Sequence, residues 1–103
     1  MNGIVEGRIV HYVLNELDTE RIIEQRERQT GASGVVSIAA GNLPKAGEHV
    51  AMMIVRVFPH VIGNDDSGIN GQCLLDGNDS LWVTSRKFDE GKSPGTWHWI
   101  EKA

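Results

Sequence analysis

Gly71-Gln-Cys-Leu-Leu-Asp-Gly-Asn-Asp-Ser-Leu-Trp-Val-Thr-Ser85 is the stretch that decides how this chain folds. Two short apolar runs, residues 71–75 and 80–85, flank a break that carries Asp76-Gly77. That dipeptide accepts the left-handed backbone a tight hairpin turn requires. The stretch therefore predicts two antiparallel strands. Working outward, Val50-Ala-Met-Met-Ile-Val-Arg-Val-Phe58 is apolar on both alternating faces, with Arg56 as the exception. A strand of that pattern is expected to be covered on both sides, inside a curled sheet, a sandwich or a dimer interface. Residues 4–14 hold β-branched and aromatic side chains with no breaker after Gly7, which predicts a first strand. At the other end, Pro94-Gly95 punctuates the approach to a last short strand, residues 96–101, on which Trp97 and Trp99 share a face.

One helix is predicted, over residues 18–29. It opens on Asp18 as its capping residue, contains good helix formers and stops before Gly31. Its apolar stripe is thin, essentially Leu17, Ile22 and Ile23, so it must lie across the body of the domain or on a second subunit. Residues 31–47 are rich in small side chains, and their apolar run between glycines reads as a strand or a packed loop. Residues 59–70 read as a loop. Its Asn64-Asp-Asp66 group fails as a calcium loop, because the fifth position is Gly68 and no glutamate closes it. The pattern as a whole predicts a mainly β domain with one helix, spanning 1–103. A small curled antiparallel sheet or SH3-like barrel fits best, and a flat sandwich is the alternative.

Composition narrows the function classes. At 103 residues the chain supports one modest core. A net charge of −4 without long runs of either sign argues against a duplex nucleic-acid binder. Cys73 is the only cysteine, which excludes an internal disulfide and a thiolate zinc site and suits a reducing compartment. No signal peptide or membrane-length apolar run is expected, so the sequence predicts a cytoplasmic location with no membrane partner. Asn78-Asp-Ser80 matches a glycosylation sequon but reads there as a turn.

Candidate chemistry is sparse. His11, His49, His60 and His98 show no spacing that preforms a metal site, and isolated, partly buried histidines account for them, so neither a metal nor a cofactor is expected. Ser85, His98 and Asp89 can be drawn as a triad, but triads are defined by geometry. Gly91-Lys-Ser93 resembles the end of a phosphate-binding loop, yet Arg86 stands where its earlier glycine belongs. What remains is a set of aromatic planes and fixed cations. Tyr12, Trp82, Trp97 and Trp99, with Phe88 beside them, can stack on a base, at about 1–3 kcal/mol per base. Arg8, Arg56, Arg86 and Lys87, with Lys92, can grip phosphate oxygens. The opposing reading gives the tryptophans to the core and the cations to a solvated rim, with Arg56 reaching water or an acidic neighbour.

Gly7-Arg-Ile-Val-His-Tyr-Val-Leu14, the strand of residues 51–57 and the closing Pro94-Gly-Thr-Trp-His-Trp-Ile-Glu101 together resemble a family of very small bacteriophage and prophage proteins. Against that family's pattern, residues 15–48 look like an insertion. The resemblance implies a phage origin and a place in the host cytoplasm, without a biochemical activity. Two functions follow as expectations. The first is a counter-defence protein that sequesters a nucleotide-derived immune signal without turnover, in a homo-oligomer whose subunits meet at the two-faced strand. The second is a protein-interaction module, an inhibitor of a host defence factor or a small virion component, with residues 15–48 as its contact surface. An enzyme is not expected, since no acid/base pair stands out.

Overall fold

The computed structural model of the protein describes residues 3–33, 42–58, 68–77 and 79–101. They contain β1 (Ile9–Val13), α1 (Glu16–Ser33), β2 (His49–Phe58), β3 (Gly68–Leu74), β4 (Ser80–Arg86) and β5 (Trp97–His98). The strands form one antiparallel sheet in the order β4-β3-β2-β1-β5. The hairpin predicted at Asp76-Gly77 joins β3 to β4, with Leu74 opposite Ser80.

The sheet curls but does not close into a barrel. Near the end of β4 the backbone kinks at Ser85, which takes a φ of 53° while its N–H donates to Asn70 Oδ1. The chain then reaches β5, where Phe88 bridges Trp97 in parallel. Trp97 N–H donates to the Lys87 carbonyl and Asp89 N–H to the Trp97 carbonyl. Curvature has local causes as well. The β2–β3 register slips between Ile54 and Arg56, and β3–β4 slips between Ile69 and Gly71. A Cβ at Gly71 would lie 2.7 Å from Met52 Cγ and 2.9 Å from the Met53 carbonyl oxygen, so only glycine fits this close crossing.

Alternation along the strands separates two faces. Val10, Tyr12, Met52, Ile54, Ile69, Cys73, Leu81, Val83 and Trp97 turn inward and form one core with Leu14 and Ile22. Burial pushes the Cys73 thiol up to about 12. The opposite face is open in the single chain: Met53 is 40% and Val55 44% exposed. Within the single chain β2 is covered on its inner face, where α1 packs, and not by a second layer of the same chain among the described residues. Only Ile22 of the helix's predicted stripe is buried, while Leu17 and Ile23 face solvent. Polar contacts hold the rest of the helix. Arg21 Nη2 and Gln25 Nε2 donate to the carbonyls of Trp82 and Ser80, and Arg26 grips Asp79 through Nε at 2.8 Å and Nη2 at 3.2 Å.

The helix begins earlier than predicted, for a definite reason. Asn15 Oδ1 accepts from the Asp18 N–H at 2.7 Å, and Asp18 Oδ2 accepts from the Asn15 N–H at 3.1 Å. This reciprocal pair is a capping box in which Asn15 is the cap and Asp18 stands three residues inside. Asp18 is fully buried, and its carboxylate also accepts from the Tyr12 hydroxyl at 2.5 Å and from Arg86 Nη2 at 3.4 Å. The other boundaries differ as well. β1 starts at Ile9 rather than residue 4, β3 reaches back to Gly68, and β5 is only two residues long. Readings that fall on residues 34–41, on residues 59–67 with His60, and on Asn78 lie outside the described residues. Among those described, no helix is long and apolar enough to cross a membrane.

Candidate functional site

Successive residues of a strand point to opposite faces, so while Tyr12 enters the core its neighbour His11 faces outward. The β1 registers place His11 opposite His98 on β5 and Val13 opposite His49 on β2. Three imidazoles far apart in sequence thus stand on adjacent strands. The chain beyond β5 returns Glu101 over them. Its Oε1 lies 2.7 Å from His98 Nε2, 2.5 Å from His49 Nδ1 and 3.5 Å from His11 Nδ1. The His49 and His98 rings meet edge-on with centroids 4.9 Å apart, and His11 and His98 do so at 5.8 Å. Hydrogen bonds from His98 first, then His49 and Lys92, hold the Glu101 carboxyl well below the usual carboxylate range.

Burial is graded across the cluster. The His98 side chain is 3% exposed, against 26% for His11, 34% for His49 and 35% for Glu101. Nδ1 of His98 is buried without a hydrogen-bond partner. The tautomer of this ring is therefore set by whatever its Nε2 meets at Glu101.

Lys92 completes the arrangement, with Nζ 3.2 Å from Glu101 Oε2. The segment Asp89-Glu-Gly-Lys-Ser93 builds its position. Asp89 accepts from the N–H groups of Gly91 and Ser93 and from the Ser93 hydroxyl. These bonds, led by the Ser93 hydroxyl, lower the Asp89 pKa. The knotted turn holds Lys92 at a φ of 61°, a left-handed conformation that costs a non-glycine residue about 1–3 kcal/mol. Gly95, at a φ of 84°, then returns the chain to β1 by donating its N–H to the Val13 carbonyl.

The sequence-predicted ligand residues do not meet in one place. Tyr12 and Trp97 are fully buried and present no ring face to solvent. Desolvation, then the bond to Asp18, raises the Tyr12 phenol far above its ordinary value. Arg86 joins this interior group, paired with Asp18 and 5.8 Å over the Tyr12 ring. Trp99 is half-buried against Trp97, with ring centroids 5.2 Å apart, and Arg8 lies 4.8 Å over its outer ring. Arg56 covers Phe58 at 5.4 Å. Trp82 is 37% exposed on the open face of the sheet, and Lys87 is exposed beyond β4. No hydrogen bond joins Ser85, His98 and Asp89, so the triad drawn from the sequence is not assembled. A shallow groove beside the helix start, lined by Glu16, Leu17, Glu20 and Pro94 among others, carries two carboxylates and does not suit an anion.

The histidine cluster was not legible from spacing, because strand pairing rather than a short motif assembles it. A signal was nonetheless present. Gly7 to Leu14 and Pro94 to Glu101 each carry a histidine at an outward strand position. Compared with known proteins, the chain matches no family model, no curated protein and no solved structure.

Proposed function

We propose that this protein is a phage or prophage accessory protein that binds without turnover and sequesters a nucleotide-derived immune signalling molecule in the host cytoplasm. One observation carries the reading. Arg8 and Arg56 are exposed, each lying over an aromatic ring, and neither has a carboxylate partner among the described residues, whereas Arg26 and Arg86 are committed to Asp79 and Asp18. A guanidinium stacked on a ring keeps its in-plane N–H donors for a phosphate, and the exposed Trp82 offers a plane to a base. The phage setting rests on the resemblance of the opening and closing segments.

A second reading, an interaction module for a host defence factor or a virion subunit, draws on the open sheet face. There Met53, Gln72 and Trp82 are direct cross-strand neighbours, and Val55 and Leu74 are exposed beside them.

Native mass spectrometry of protein purified from infected cells separates the two. Sequestration predicts a nucleotide-sized mass that is released intact on denaturation. It also predicts that Arg8→Ala and Arg56→Ala each weaken retention about tenfold or more, since a hydrogen bond to a charged group contributes about 1.5–3 kcal/mol. A ligand-free protein, or retention unchanged in both variants, overturns it.

A further inference from the structure

We propose that His11, His98 and Glu101, with His49 as a fourth donor, form a binding site for a divalent transition metal of the zinc class. The donor atoms of His11, His98 and Glu101 all lie within 4.8 Å of one another. In a tetrahedral zinc site with bonds of about 2.0–2.1 Å, donors stand roughly 3.3 Å apart. The His11 to Glu101 separation of 3.5 Å is already at that value, and the 2.7 Å of the His98 contact has only to open slightly. His49 Nδ1 meets the same carboxylate oxygen from β2 but lies outside that 4.8 Å set, so it joins as a fourth donor only by a side-chain shift. Three imidazoles and a carboxylate are nitrogen and oxygen donors of the hardness that suits zinc, copper and nickel rather than calcium or magnesium.

Two further features favour a metal over a chance gathering of side chains. The first is the division of labour within the Glu101 carboxylate. Oε2 is held by the Lys92 ammonium, while Oε1 alone faces the imidazoles, so a ligating oxygen is oriented by an outer partner bonded to its twin. The strained backbone at Lys92, pinned by Asp89, holds that partner in place. The second is the nearly complete burial of His98, whose Nε2 is aimed at Glu101 rather than at solvent, so that this donor is already oriented toward the proposed ion. The backbone registers of β1, β2 and β5 set the three Cα positions independently of any ion, so the site is preformed by the sheet.

The inference is independent of the nucleotide reading, since it uses neither Arg8 nor Arg56. The test is titration of the metal-stripped full-length protein with Zn²⁺ by calorimetry and with Co²⁺ by visible absorption, which reports tetrahedral coordination directly. One saturating equivalent is expected, with a Co²⁺ spectrum of the tetrahedral type. His11→Ala and His49→Ala remove partly exposed side chains that lie outside the core, and each should weaken binding at least tenfold. Absence of saturable binding overturns the proposal. So does binding that is insensitive to both cluster variants, which marks an adventitious ion only. Glu101→Gln, which retains shape but loses the anionic donor, must also weaken Zn²⁺ binding; unchanged affinity in that variant removes Glu101 from the ligand set and overturns the site as drawn.

Discussion

Two carboxylates flank strand β1, one on each face, and they behave as opposites. Asp18 meets Tyr12 inside the core, and Glu101 meets His11 outside it. Asp18 is sealed, and its partners are a phenol that does not ionise near neutrality, a guanidinium that does not deprotonate and a backbone N–H of its own helix cap. Glu101 is partly exposed, and its partners are a lysine and imidazoles, whose ring nitrogens are ordinary metal ligands. The contrast teaches how to tell a structural ion cluster from a candidate site. In the first, the carboxylate is sealed among counterparts of fixed protonation. In the second, the groups are exposed enough to be reached and include imidazole nitrogens that a metal can take.

Asp18→Ala tests the sealed side and should have the largest effect. It removes one half of the capping box and strands Arg86, and breaking one partner of a buried pair costs about 3–5 kcal/mol. Urea denaturation will show it, and a loss under 1 kcal/mol would mean that Asp18 is no more structural than Glu101. Ile22→Ala opens a cavity between α1 and the sheet, at about 2–5 kcal/mol on the same measurement. This effect also bears on residues 15–48, for a segment that completes the core is not a detachable contact surface. Tyr12→Phe leaves Asp18 with one acceptor unfilled and should cost about 1–3 kcal/mol.

Alkaline pH sharpens the comparison further. Cys73 and Tyr12 have folded-state pKa values raised above ordinary values of 9.0 and 10.0. Below those values both groups are protonated in folded and unfolded chains alike, and their contribution is fully present. As pH rises through that range the unfolded chain releases protons that the folded chain keeps, so stability falls, by up to about 1.4 kcal/mol per pH unit for each group. Denaturation midpoints should decline above about pH 9, and Tyr12→Phe should flatten the upper part of the decline. The smallest effect belongs to the other face. Glu101→Gln should leave the thermal midpoint unchanged within error, and a large drop would move Glu101 into the structural class.

What the sequence disclosed and what it hid follow the range of the interactions. The Asp76-Gly77 turn and the alternating runs around it are local, and the hairpin was readable from them. The helix start was misplaced because Asp18 is a good cap by type. Asn15 outranks it only through a reciprocal bond whose partner side chain is also held by Tyr12. The open outer face of β2 was hidden because an apolar strand looks the same whether one layer or two cover it. The Glu101 cluster was hidden more deeply, since its histidines come from positions 11, 49 and 98 and meet only through two strand registers. The tryptophans split for a similar reason. Trp97 and Trp82 are equally aromatic on paper, and strand parity alone sends one inward and the other toward solvent.

The bonds from Arg21 and Gln25 to the carbonyls of β4, and those that tie Lys87 and Asp89 to Trp97, have a consequence for assembly. They occupy both lateral margins of the sheet, where another polypeptide could otherwise add as a sixth strand. Growth by strand addition, the route to fibres and to domain-swapped ribbons, is thereby obstructed at each end. Among the described residues, the exposed Met53, Val55, Leu74 and Trp82 of the outer face, rather than either margin, are then what a second protein surface would meet.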